Sequence, residues 1–209
     1  MDKQYLKFKH YYNMELPIKK AIIDVEDSEM GLKTVSLVSD PAIQINWIKF
    51  NKQSEIKLAI QNEDKRIIFT PVLIPNQLIY RNIAGEEFNL MFDKETIELV
   101  EQKWVKDNLS SAVDIEHSSK LIEGVTFFES VLLNNERFAT AKGFEGLPEG
   151  TWFLTGKVES DDVWTKIKSG EVNGVSIDGL FKTAEVKKVT MSDEQIIKII
   201  NNLKTLNII

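Results

Sequence analysis

The chain has 209 residues, no cysteine, two histidines and a formal net charge of −6 at pH 7. That balance argues against a nucleic-acid binder working by bulk charge. The lack of thiols excludes disulfides, thiolate catalysis and cysteine-ligated zinc, and two histidines make a histidine-rich metal site implausible.

Hydrophobic content of 43% is ample for a packed core. No apolar run approaches the roughly 20 residues that a membrane span needs, so no membrane association is expected. The charged N-terminus lacks the apolar segment of a signal peptide, which points to a cytoplasmic protein. In chain order, residues 1–17 are polar and aromatic, close at Pro17, and read as an arm. Lys19–Val25 and Leu32–Val38 read as strands around a turn at Asp27–Gly31. Asp40-Pro41 breaks the second, and Asn46–Asn51 alternates once more. This predicts a small β unit over residues 1–50, ahead of a main body over 51–209.

In that body Ile56–Ile60 and Arg66–Ile74 are β-rich, with Pro71 and Pro75 placing the second run near an edge or loop. Leu78–Ile83 and Glu87–Phe92 flank Ala84-Gly85 as a hairpin. Asp93 caps a helix on which Ile97, Val100 and Trp104 form one apolar stripe. Val125–Leu133 is a further strand, and residues 134–150 form a turn-rich surface loop. Thr151–Val158 alternates. Ser160 caps a second helix, which buries Val163, Trp164 and Ile167 and ends at Gly170. Val172–Thr183 is a strand, and Val186–Met191 suits a partner folding back on it. Ser192 and Gln195 open a last helix striped by Ile196, Ile199, Ile200 and Leu203. Many short strands with three helices predict a β-rich α+β domain.

The chemistry-bearing residues are few. Ser176 stands in G-V-S-I-D-G, between Gly174 and Gly179. A hydrolase elbow needs a helix directly after its serine. Here a strand continues through Leu180 and Phe181, so the enzymatic reading is a serine carried on a strand. The same pattern suits a structural serine in a glycine-relaxed strand, since glycines in strands commonly mark bulges. If Ser176 is a nucleophile, its base comes from a short list. His117, in D-I-E-H, is the better entry, because a neutral imidazole can take a hydroxyl proton and return it to a leaving amine. A surface histidine at a strand end is the other reading of His117. His10 lies in the arm and is a poor candidate. Asp114 and Glu116 lie close enough in sequence to orient the ring or raise its pKa.

A base of this kind needs a partner that fixes its tautomer. Asp193 is one candidate third member, because a turn at Ala184-Glu185 would bring it opposite Ser176; it also suits the start of the last helix with no catalytic role. Glu129, in F-F-E-S-V, is the alternative, since a charge in so apolar a run needs a partner if it points inward. Asp178 shares a face with Ser176 and reads as a local polar residue. Glycine-rich phosphate loops and dinucleotide fingerprints are absent, so no cofactor is expected, and the acidic pairs lack metal-ligand spacing.

The Gly150–Gly179 stretch carries a G-T-W strand, K-V-x-x-D-D-x-W-x-x-I-K-x-G-E and x-G-x-S-I-x-G. With Glu116-His117, Glu129-Ser130 and G-L-K-T-V-S-L-V-S-D-P-A-I upstream, it resembles the phage prohead serine proteases, capsid-maturation enzymes with a herpesvirus-assemblin-like fold. The resemblance spans roughly residues 30–182. It implies Ser176 as nucleophile and His117 as base, on a compact β-barrel ringed by helices, with the third member open between Asp193 and Glu129. It implies a serine endopeptidase in the host cytoplasm, inside the procapsid. Its substrates would be the scaffold, the arm of the major capsid protein and the protease itself, and homodimers are a further expectation. Two other readings stand beside it: a catalytically inactive capsid or procapsid component that keeps the fold, and a β-rich interaction module unrelated to phage.

Overall fold

The computed structural model describes residues 16–42, 58–134 and 144–186. Within them lie eleven strands and two helices, the α+β class expected. The expected strand at 46–51 and last helix from Ser192 lie outside the described residues.

Three open sheets are present, and no closed barrel forms among the described residues. The first has the order β11 (Lys182–Glu185), β1 (Ile18–Ile22), β6 (Glu86–Met91), β5 (Ile79–Ile83). The second is β10 (Gly174–Leu180), β2 (Gly31–Val38), β7 (Val113–Ile115). The third is β3 (Ala59–Asn62), β4 (Ile67–Leu73), β9 (Trp152–Val158), β8 (Val125–Leu132). β1 and β2 are the inner strands of their sheets, paired on both sides with strands from beyond residue 85. Residues 18–38 are therefore built into the main body rather than forming a separate N-terminal unit. Local alternation could not show this, because the pairing partners lie far away in sequence.

Turn and cap chemistry act as expected. The β5–β6 hairpin closes on Ala84 and Gly85, with φ of 52° and 88°, the positive values that a tight two-residue turn needs. Pro71 sits on an inner strand, and among the described residues β3 pairs with β4 as far as Phe69. On the other side the β4–β9 register slips between Pro71 and Leu73. The proline thus sits at a bulge, the kind of place where a strand tolerates a residue without an N–H.

One large core joins the sheets through Val35, Leu37, Val113, Leu154 and Val175. Helix α1 (Lys94–Lys106) adds Ile97, Val100 and Trp104, and helix α2 (Asp161–Ser169) adds Val163, Trp164 and Ile167. A smaller cluster of Ile74, Leu133, Phe144, Leu147 and Phe153 packs with Phe69.

Asp93 caps α1, accepting from Thr96 N at 3.0 Å and pairing with Lys20 of β1. Burial works against its charge, but the hydrogen bonds from Lys20 and Thr96 and the charge of Lys20 outweigh this and hold its carboxyl below the ordinary value. A depressed folded value contributes stability above the unfolded pKa of about 3.9, which is lost as pH falls through the folded one. Asp93→Ala is expected to cost about 1 kcal/mol near neutral pH. The gap from wild type should narrow in urea titrations below about pH 4; a gap constant into acid would exclude the charged contribution.

Candidate active site

The three-stranded sheet positions the site. α2 ends at Gly170, whose φ of 76° turns the chain back. Asn173 then clamps the end of β2: its N–H donates to Val38 O at 2.9 Å and its Nδ2 to Ser39 O at 3.1 Å. This sets the antiparallel register in which Val175 opposes Leu37, Ser176 opposes Ser36 and Ile177 opposes Val35. On the other side β7 runs parallel, with Val35, Ser36 and Leu37 beside Val113, Asp114 and Ile115.

Directly opposed residues share a face of a sheet. Val175, Leu37, Val35 and Val113 therefore face the main core, and all four are fully buried. Ser176, Ser36 and Asp114 form a polar row on the opposite face. That face is covered too: Ser36 and Asp114 are 0% exposed and Ser176 is 8% exposed.

The glycines that flank Ser176 are explained by close approach. A Cβ on Gly179 would lie 2.4 Å from Gly31 O, and one on Gly174 would lie 2.7 Å from the Pro41 ring. No substituent fits between β10 and its neighbours at either point, and the β10–β2 register slips at Asp178/Gly179. After Leu180 the chain breaks at Phe181, which packs edge-on against Phe92. It then enters the first sheet as β11. Among the described residues no helix follows the serine.

His117 lies just past β7, in a turn where Glu116, His117 and Ser119 all adopt positive φ, 53°, 53° and 57°. Non-glycine residues in this region cost on the order of 1–2 kcal/mol each, and such geometry is concentrated at functional sites. Three contacts hold the turn. Glu116 N donates to Leu37 O at 3.0 Å, Ser39 N donates to Glu116 Oε1 at 2.6 Å, and Ser119 N donates to Asp114 Oδ2 at 2.8 Å. The imidazole is exposed, and its Nδ1 forms a 3.1 Å hydrogen bond with Ser36 Oγ. His117 thus bonds Ser36, and Ser176 stands on the far side of Ser36, one strand spacing of about 4.8 Å away.

Glu129 is not in this constellation. It lies exposed on β8 of another sheet, where Thr155 donates to its Oε2. It opens onto a cleft of about 460 Å³ that is also lined by Glu101, Trp104, Phe127 and Phe128. Among the described residues no hydrogen bond or ion pair joins it to His117. Asp193 lies outside the described residues, but the turn that would have brought it opposite Ser176 is not made. Ala184 and Glu185 run on in β11, opposite Lys20 and Lys19. Asp178 is occupied locally: burial pushes the guanidinium of Arg81, on β5, below its ordinary value, against the pull of the Asp178 carboxylate.

Ser36 was missed in the sequence. In L-K-T-V-S-L-V it falls on the face left by Val35 and Leu37, which an alternating strand normally turns to water. Only the burial of Ser36 and of its neighbours Asp114 and Ser176 in the folded chain reveals that this face is covered. Among the described residues no helix is long and apolar enough to cross a membrane.

The family model described as "Putative phage serine protease XkdF" matches residues 55–185, a span that holds both His117 and Ser176. No curated protein and no solved structure matches the chain.

Proposed function

The chain belongs to this phage serine protease family, and from that premise we propose that it is a serine endopeptidase that processes procapsid proteins during head maturation. Ser176 is the nucleophile and His117 the general base. The imidazole takes the Oγ proton as Ser176 attacks the peptide carbonyl, and backbone N–H groups stabilise the oxyanion. The proton passes to the leaving amine. Water then hydrolyses the acyl-enzyme, with His117 as base again.

The observation that carries the reading is the placement of His117 over the covered polar row that ends in Ser176. A hydroxyl that is almost dry beside a solvent-reachable imidazole suits a site where substrate arrives from the His117 side. The catalytic proton transfer requires His117 to engage Ser176 directly when substrate binds, and catalytic hydrogen bonds are often long before that stage. The substrates in this reading are the scaffold, the major capsid protein arm and the chain itself, met at high local concentration inside a closed shell.

A fluorophosphonate probe is expected to attach to one residue, Ser176, identified by mass spectrometry of the labelled peptide. Co-expression with the scaffold and major capsid proteins of the same phage should yield truncated products of both. Absence of label would favour the inactive structural component instead. Label without capsid or scaffold cleavage would keep the protease and remove the maturation role.

A further inference from the structure

We propose that Ser36, backed by Asp114, is the positioning residue for His117, in the role that Glu129, on another sheet, does not fill. The proposal rests on the catalytic reading of His117 and Ser176 above. It starts from the 3.1 Å contact between Ser36 Oγ and His117 Nδ1. An imidazole that acts as base through one nitrogen needs the other nitrogen's proton held by an acceptor, which fixes both tautomer and ring orientation. A serine hydroxyl has two lone pairs and one proton, so it can accept from Nδ1–H while donating elsewhere.

Asp114 supplies the direction. It is Ser36's register partner on β7, in the same covered row. Its Oδ2 accepts from Ser119 N in the turn that carries His117, while its Oδ1 is buried without a hydrogen-bond partner. Ser36 Oγ makes no hydrogen bond to that oxygen, so Asp114 acts on the hydroxyl through the field of its carboxyl group across one strand, which favours the Ser36 proton turned toward β7. Ser36 then presents a lone pair to His117, Nδ1 keeps its proton, and Nε2 is left as the nitrogen that takes the Ser176 proton. When the ring becomes imidazolium, Ser36 continues to accept from Nδ1–H and needs no rearrangement.

The geometry also makes Ser36 hard to replace by an acid. It sits on the middle strand, fully buried between two neighbours. A carboxylate there would be a second buried like charge beside Asp114, whereas a hydroxyl adds none. The acid of the arrangement is held one strand further away, where it also ties down the turn.

The test uses the full chain and its Ser36→Ala, Ser36→Thr and Asp114→Asn variants. Ser36→Ala is expected to lower kcat ~10- to 100-fold, the loss of one hydrogen bond to a group that becomes charged. KM should stay near wild type, and the phosphonate should still attach to Ser176, more slowly. Ser36→Thr keeps the hydroxyl and should recover most of the rate. Nitrogen-15 NMR reads the tautomer directly, and the chain has only two histidines to assign. Wild type should show His117 protonated at Nδ1, and Ser36→Ala should show a mixture. Asp114→Asn should shift the ring in the same direction.

A His117 protonated at Nε2 in the wild type, or one unaltered by Ser36→Ala, overturns the proposal, as does an unchanged kcat. Label on Ser36 itself would make it the nucleophile and overturn it equally. The NMR readout needs no turnover. If the wild type proves unreactive to phosphonate, the protease reading fails, while the spectra still decide whether Ser36 sets the ring.

Discussion

Ser176→Ala is expected to remove peptide cleavage and phosphonate labelling together. Loss of a serine nucleophile in a site of this kind lowers kcat on the order of 10⁴- to 10⁶-fold. Stability should barely move. The change deletes one hydroxyl on the face of β10 that does not meet the core, while Val175 and Ile177 keep the strand in register. A net hydrogen bond contributes about 1 kcal/mol, so the unfolding midpoint should shift by no more than that allows. Retained cleavage by the purified variant would rule out Ser176 and turn attention to Ser36, the other hydroxyl on the same rung. Loss of cleavage with loss of fold would mean that the row is structural.

Trp152→Ala is expected to give the largest loss of stability. Trp152 is fully buried on β9, between β4 and β8. Its ring meets Trp104 of α1 edge-on at 5.6 Å, joining the helix to the sheet. Its Nε1 donates to Ser130 Oγ at 2.9 Å, and Ser130 donates in turn to Glu101 Oε1 at 2.6 Å. Truncation removes the ring contacts and strands that polar pair. Trp→Ala changes in cores cost about 3–5 kcal/mol, against a total stability of about 5–15 kcal/mol for a domain. Trp152→Phe refills most of the space but drops the hydrogen bond, and should cost nearer 1–2 kcal/mol. Urea unfolding with an unchanged m-value would measure both. A loss below about 1 kcal/mol for the alanine variant would show that this ring does not join α1 to the third sheet.

The two variants probe separate parts of the molecule, and both residues were legible in the sequence. Trp152 lies in an alternating run, and the stripe of Ile97, Val100 and Trp104 announces the helix face that meets it. Caps at Asp93 and Ser160, the turn at Ala84-Gly85 and the helix stop at Gly170 are encoded within a few residues of where they act. Turn geometry and capping are short-range interactions, so a short window holds them. The candidate nucleophile and base were legible because so few residue types in this chain can perform acyl transfer.

The residue that touches the candidate base was not legible. Ser36 lies 81 positions from His117, and its own strand offers only a polar residue in an alternating pattern. Of the acids named as third members, Glu129 was chosen by its apolar neighbours and Asp193 by an assumed turn. One proved to sit on another sheet beside Thr155, and the turn invoked for the other is taken up by β11. The partners of β1 and β2 were hidden for the same reason, and with them the merging of the N-terminal strands into the main body.

The sequence by itself determined the α+β class and most strand and helix positions, and it narrowed the candidates for nucleophile and base to Ser176 and His117. It determined these through periodicity, capping and the scarcity of reactive side chains, all properties of a residue and its near neighbours. Only the tertiary structure decided the order of strands, the covering of the second face of β2, and the row Ser176–Ser36–Asp114 beneath the imidazole. A row across three strands is set by backbone hydrogen bonds between segments dozens of residues apart. Its burial is a property of the assembled sheet, which no single strand carries.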